Sequence, residues 1–237
     1  MQSWQEDMLT AIEAPRLDDS EIFTRLETAS RALGFPYCAY GLRVPLPVTR
    51  PQTIILSNYP SAWQERYHEK NYVAVDPSVL HGRRTQTPVL WSDELFANTS
   101  QLWDEARAHG LRHGWAQSSL DGHGIGGMVT LARSDEPITS CELAHSEVRM
   151  RWLVNISHLA LSRRLSARFI QPRAALTPRE VEVLQWTADG KTAPEIGDIL
   201  DLSSATVVFH VGNAMRKLDS TSRTAAAVKA AMLGLLN

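Results

Sequence analysis

Cysteine is scarce in this chain. Cys38 and Cys141 are the only two in 237 residues, and no spacing pairs them, which argues against a disulfide framework or a thiolate metal site. Reduced cytosolic thiols are the reading that remains. Long apolar runs are missing too: none approaches the roughly eighteen residues that a membrane-spanning helix needs. The opening Met-Gln-Ser-Trp-Gln-Glu-Asp lacks the basic and apolar regions of a secretory leader, so a soluble, cytoplasmic protein with no membrane partner is expected. Nor is there a surplus of either charge. With 24 Lys and Arg against 26 Asp and Glu the net charge is −2, which excludes coating nucleic acid by bulk charge.

Signs of catalysis are equally thin. The Gly-rich run from Asp121 to Gly127, with His123 at its centre, lacks the lysine and the Ser/Thr of a phosphate loop and precedes no helix, so it reads as a flexible hairpin. His113, His145 and His158 have no metal-ligand spacing, and no nucleophile stands beside a matched base. Strand and helix do not alternate as a receiver-type parallel sheet requires. An enzyme, a metal and a cofactor are therefore not expected.

What the chain does have is length for two domains and 43% apolar residues to fill their cores. Its last sixty-odd residues announce four short helices. Thr177-Pro178-Arg179-Glu180 is a capping box with proline at the first helical position, followed by an apolar stripe of Val181, Leu184 and Ala188. Gly190 is placed to end that helix in the left-handed region. Thr192-Ala193-Pro194-Glu195 repeats the box ahead of Ile196, Ile199 and Leu200. Ser203 caps a third helix with Val207, Val211, Ala214 and Leu218 on one face, and a fourth begins near Ser222 and buries Ala225, Val228, Met232 and Leu235. A short helix, a turn and a longer helix match a helix-turn-helix reader. Periodicity alone favours a small helical bundle packing on something else.

Before this tail, two helices span about Trp4 to Leu33, and strands are expected over Tyr37–Val44 and Thr53–Leu56. A helix from Ser61 to Glu69 puts Trp63 and Tyr67 on one face, Asp76-Pro77 starts a short helix through Leu80, and Pro88 to Trp91 is strand-like. A helix over Gln101–His109 precedes a hairpin of Trp115–Leu120 and Gly126–Ala132. A long helix from Ser140 to Leu165 carries Leu143, Val148, Trp152, Ile156, Leu159 and Leu161. The fold class is thus α+β: an N-terminal α/β/α sandwich on an antiparallel sheet and an all-α C-terminal domain. The expected domains are 1–165 and 176–237, joined by a linker over 166–175.

The segment LTPREVEVLQWTADGKTAPEIGDILDLSSATVVFHVGNAMRKL resembles the DNA-binding domain of the LuxR family, through Glu180, Leu184, Gly190, Lys191-Thr192, Glu195-Ile196, Thr206-Val207, His210 and Lys217-Leu218. The run SNYPSAWQERYHEKNYVAVDPSVLHG resembles the autoinducer domain of acyl-homoserine-lactone receptors in that family, and the similarity continues through LWSDELF, LWDEARAHGL and TLARSDEPIT. Together they cover nearly the whole chain. The resemblance implies a quorum-sensing transcription factor that binds an N-acyl-homoserine lactone and, as a homodimer, reads inverted-repeat promoter DNA, with RNA polymerase as a further partner.

By the same resemblance, Tyr59 bonds the acyl carbonyl, Trp63 the lactone carbonyl, and Asp76 accepts the amide N–H. Tyr67, Trp91, Leu102, Trp103 and Ala106 line the cavity, and Thr130 supplies a hydroxyl near the amide. The residue chemistry suits that ligand: one N–H, two carbonyls and an alkyl tail require one acceptor, two donors and an apolar tunnel. For DNA, the segment from Pro172 holds seven Lys/Arg and seven Asp/Glu, so contacts must come from local placement. The candidates are Lys191, Thr192, Thr206, Val208, His210, Asn213, Arg216, Lys217 and Arg223. Positions often polar in family recognition helices are Val208 and Gly212 here, which shifts direct base bonding to Asn213 and Arg216. Two alternatives stay open: a family member acting without a ligand or on a non-lactone signal, and a metabolite-binding enzyme with a helical tail.

Overall fold

The structure is a computed structural model that describes residues 3–13, 17–44, 51–122, 124–170 and 174–236. His123, at the centre of the Gly-rich turn, lies outside the described residues. The chain divides into two compact units, the first built mainly of residues up to Ser166 and the second of those from Ala167 onward. Among the described residues no helix is long and apolar enough to cross a membrane.

The first unit opens with helices α1 (Ser3–Glu13) and α2 (Asp19–Ala32). Asp18 starts α2 by accepting the Glu21 N–H at 2.8 Å, while Glu21 reaches back to the Asp18 N–H at 2.8 Å. Strands β1 (Tyr37–Val44) and β2 (Gln52–Ser57) follow, then α3 (Ser61–Glu69), α4 (Pro77–Gly82), β3 (Val89–Leu90), α5 (Ser100–Ala108), β4 (His113–Leu120) and β5 (Gly126–Arg133). The sheet is antiparallel throughout, in the order β2-β1-β5-β4-β3.

Period-two alternation divides the sheet into two working faces. On one, Tyr40 and Val129 sit opposite each other and turn towards α6 (Ser140–Ile170). There the Tyr40 hydroxyl lies 2.9 Å from His158 Nδ1, and His158 Nε2 lies 3.1 Å from the Ile125 carbonyl. A neutral imidazole accepting from the phenol and donating to the carbonyl satisfies all three groups, and burial lowers the His158 pKa to match. Gly127 makes room for this contact, since a Cβ there would sit 2.3 Å from His158 Nδ1. On the opposite face Tyr37 and Ala132 pack with α3 and α5 in a second cluster, which holds the candidate site.

Two expectations for α6 need correction. The helix continues to Ile170, past the Leu165 at which its periodicity fades. Val148 and Leu159 lie on its outside, 78% and 59% exposed, while Met150, Leu153, Val154 and Leu161 are buried. The stripe is offset because Ser157 and His158 are buried too, and polar residues carry no hydrophobic signal.

The second unit consists of α7 (Pro178–Ala188), α8 (Ala193–Leu200), α9 (Ser204–Lys217) and α10 (Arg223–Met232). Their starts lie where the capping residues put them: Thr177 and Glu180 form the reciprocal box, and Ser203 and Ser222 accept the Thr206 and Ala225 N–H groups, each at 3.1 Å. Gly190 ends α7 at φ 85°. The buried faces differ from expectation. In α7 Val183, Leu184 and the carboxylate of Glu180 are inside, with Ala188 exposed; in α8 Ile199 is 44% exposed. In α10 the buried residues are Ala226, Ala227 and Ala230, not Ala225 and Val228. Small alanines let α10 approach Leu184, Ala214 and Leu218 closely, a preference for size that a hydrophobicity pattern does not register. The turn after α8 is equally tight: Asp201 adopts φ 54°, and a Cβ on Gly197 would lie 2.6 Å from the Leu202 carbonyl oxygen.

Candidate functional site

Pro77 fixes the start of α4 and so makes Asp76 its N-cap. Asp76 Oδ1 accepts from the Ser78 N–H at 2.9 Å and the Ser78 hydroxyl at 2.6 Å, with the Val79 N–H at 3.4 Å. Oδ2 accepts from the Tyr67 hydroxyl at 2.9 Å. The carboxyl is buried, and desolvation pushes its pKa above the ordinary 3.8 although the Ser78 and Tyr67 bonds pull it down. One oxygen therefore holds the helix and the other faces the aromatic cluster with acceptor capacity to spare.

Tyr59 enters that cluster from the β2–α3 connection. Its hydroxyl is buried without a hydrogen-bond partner, next to Thr130 on β5 and within electrostatic range of Asp76. Burial holds Tyr59 and Tyr67 far above the usual phenol range, so both stay neutral donors. The α3 register brings the Trp63 and Tyr67 rings within 5.6 Å at 67°, and Trp63 stacks on Tyr72 at 5.9 Å. Trp91, just past β3, fills the space left by Gly114: a Cβ there would sit 2.2 Å from the indole. The Trp91 Nε1–H is buried and unpartnered as well. From α5, Leu102, Trp103 and Ala106 close the cluster. Trp103 stacks on Phe96 at 4.6 Å and turns its own N–H outward to Asp93 at 2.6 Å, beneath the Arg107 guanidinium.

All nine candidate ligand residues thus belong to one neighbourhood on one face of the sheet: eight packed around the aromatic cluster and its carboxylate, and Thr130 on the adjoining strand. Two buried donors without partners, the Tyr59 hydroxyl and the Trp91 N–H, are costly in an apolar cluster, at roughly 1–3 kcal/mol for each missing bond. They suit a ligand that brings the complementary groups. Ser78, Asp93 and Gly114 also shape the site and are missing from the sequence-derived set. Ser78 follows directly from the Asp-Pro-Ser cap, whereas the other two depend on contacts distant in sequence.

Gly114→Ala tests the walls of this site. The added methyl must displace the Trp91 ring, so a protein that retains its sheet but loses at least about 1 kcal/mol is expected. Urea unfolding with tryptophan fluorescence measures the loss. An unchanged midpoint and spectrum would show that Trp91 is not seated there.

In the second unit, Val208, Arg216, Thr192 and Arg223 are exposed, and Lys191, Thr206, His210, Asn213 and Lys217 are half-buried. Arg216 Nη2 donates to Asn213 Oδ1 at 2.9 Å, leaving further guanidinium donors available. Thr206 Oγ1 lies 2.8 Å from the Ser203 hydroxyl. Thr192 donates its hydroxyl to Glu195 at 2.7 Å. Lys217 plays a structural part, because its ammonium reaches Glu180 at 2.8 Å and joins α9 to the start of α7. Phe209, 62% exposed beside Val208, is absent from the candidate set although it lies outside the buried register of α9.

A sheet domain with buried polar groups inside an aromatic cluster, joined in one chain to a capped helix-turn-helix, is the make-up of a ligand-responsive regulator. Residues 18–161 match the autoinducer binding domain, and residues 174–230 match the bacterial regulatory proteins of the luxR family. Similar proteins include the transcriptional activator protein AnoR of Acinetobacter nosocomialis, 43% identical with all of both chains covered. The quorum-sensing regulator RhlR of Pseudomonas aeruginosa is 40% identical over 94% of this chain and 92% of its own. The crystal structure of Escherichia coli SdiA superposes with a TM-score of 0.84 at 35% identity, covering 99% of this chain and 98% of that one. The chain belongs to the luxR family: it is a transcriptional regulator with an autoinducer-binding domain and a DNA-binding helix-turn-helix domain, not an enzyme.

Proposed function

We propose that the autoinducer is an N-acyl-homoserine lactone. The observation that carries this is the pairing of a buried acceptor, Asp76, with the unpartnered Tyr59 hydroxyl inside an aromatic wall. The amide N–H is assigned to Asp76 Oδ2, the acyl carbonyl to Tyr59 with Thr130 near the amide, and the lactone carbonyl to Trp63. Tyr67, Trp91, Leu102, Trp103 and Ala106 enclose the ligand. The polar trio orients the head, with about 1.5–3 kcal/mol from the charged partner, and the tail adds about 0.8 kcal/mol per buried methylene.

The ligand-holding domain is assigned to residues 1–165 and the DNA-binding domain to 176–237, in a cytoplasmic protein. A homodimer would place two α9 helices about 34–36 Å apart on an inverted repeat, where RNA polymerase is engaged. Lys191, Thr192 and Arg223 at helix starts, with Arg216, Lys217 and Thr206 on α9, serve phosphates or base edges; His210 and Asn213 flank them. A second reading has support of its own: SdiA is also solved with octanoyl-rac-glycerol, at 35% identity to this chain. A glycerol hydroxyl can donate to Asp76 as an amide does.

Melting temperature measured against homoserine lactones of increasing chain length, with octanoyl-glycerol in parallel, separates the two readings. Saturation at a hundred times Kd is expected to stabilise the protein by about 2.7 kcal/mol. A response to the glycerol ester alone would replace the lactone. A response to neither would remove both.

A further inference from the structure

We propose that α9 reads thymine methyl groups: Val208 and Phe209 contact the C5-methyls of neighbouring thymines in each half-site, and Arg216 supplies the polar base contact beyond them. The proposal rests on the DNA-binding role of this domain and specifies what kind of base it selects. The outward stripe of α9 is Ala205, Val208, Phe209, Gly212 and Arg216. Val208 and Phe209 are 61% and 62% exposed, on a helix whose other face is fully used by Val207, Ala214 and Leu218. A Cβ on Gly212 would meet nothing within 4 Å, so the stripe has a notch in which a base edge or sugar can come close to the helix.

Four of the five side chains on this stripe carry no hydrogen-bonding group. Recognition by donors and acceptors is therefore confined to its C-terminal end, where Arg216 is braced by Asn213 at 2.9 Å. In the major groove only thymine offers an apolar feature, its C5-methyl beside a single O4 acceptor, whereas guanine, adenine and cytosine offer polar groups alone, which an apolar face would leave unpaired. The spacing fits. Ala205 to Gly212 spans about 10 Å at 1.5 Å per residue, close to three base steps of about 3.4 Å. Charge complementarity names duplex DNA as the occupant of this face, because the exposed Arg223 and the half-exposed Lys191 are available for flanking phosphates on either side of it.

The test uses the full chain with a mixture of butanoyl-, octanoyl- and dodecanoyl-homoserine lactones, which selects binding sites from a random duplex pool. Selected sites are then resynthesised with deoxyuridine in place of each thymine, which removes only the methyl group. At two adjacent positions per half-site, affinity by fluorescence anisotropy is expected to fall about fourfold per methyl, the equivalent of roughly 0.8 kcal/mol. Val208→Ala, at an exposed position, should bind the thymine and deoxyuridine versions of one of those positions alike. Enriched sites that bind equally well with deoxyuridine throughout would overturn the proposal and leave DNA binding intact. A pool with no enriched sequence would remove both.

Discussion

Asp76→Asn is expected to weaken ligand binding by roughly 10- to 100-fold while leaving a folded protein, because the two carboxylate oxygens have separate duties. An asparagine carbonyl facing Ser78 can still accept the bonds that start α4, so the helix cap survives at a loss of about 1 kcal/mol or less. Its amide nitrogen then occupies the place of Oδ2, where Tyr67 and the ligand N–H both require an acceptor. Loss of the charged bond is worth roughly 1.5–3 kcal/mol. Calorimetric titration with the lactone that gives the largest thermal shift checks this, and unchanged affinity would remove Asp76 from the site. The wild-type protein should also bind less tightly as the solution is acidified through the raised Asp76 pKa, because protonation replaces the acceptor by a competing O–H. The stability contribution of the same group has the opposite sign. A pKa raised on folding means that the native state holds the proton more strongly, so this contribution is largest below 3.8 and is lost as the pH rises through the folded value.

The second large effect is expected in the DNA-binding domain, where Glu180→Ala should cost about 3 kcal/mol. Glu180 is 3% exposed; it accepts the Thr177 N–H at 2.8 Å and the Lys217 ammonium at 2.8 Å. Removing it breaks the capping box and strands a half-buried ammonium whose own loss of partner is tempered by solvent. For a unit of this size the corresponding fall in Tm is on the order of 10–20 °C, visible as a shift of one calorimetric transition. Burial raises the Glu180 pKa, but Lys217 and the Thr177 N–H outweigh it and keep the group below 4.5. Its contribution is therefore complete above pH 4.5 and fades as the pH falls through the lowered value. Glu180→Gln retains an acceptor for Thr177 and should recover part of the loss. If Glu180→Ala melts with the wild type, the contact between α7 and α9 carries no weight.

The parts of this fold legible in the sequence are those decided within one helical turn. Thr177, Thr192, Ser203 and Ser222 mark helix starts because a capping side chain needs only the N–H groups that follow it. Asp76 with Pro77, and Trp63 with Tyr67, belong to the same local class, which is why much of the candidate site can be named from the sequence. What escapes depends on partners distant in sequence. The alanine face of α10 is set by the closeness of α7 and α9, and the outward turn of Val148 by the burial of His158 against Tyr40. Gly114 matters only because Trp91 lies on it. The strand order β2-β1-β5-β4-β3 brings β1 beside a strand from much later in the chain, and alternation within a strand carries no information on its neighbour.

Gly197 bears on how such a regulator diversifies. With the Leu202 carbonyl in the space that a side chain on Gly197 would need, the elbow between α8 and α9 has no slack, and bending it to suit a new operator would break that packing. Acquiring or shedding target genes must then proceed by exchange of outward side chains on α9, at positions such as Val208 and Gly212 that the interior does not constrain. A regulon can drift by single substitutions while the scaffold that presents them stays fixed.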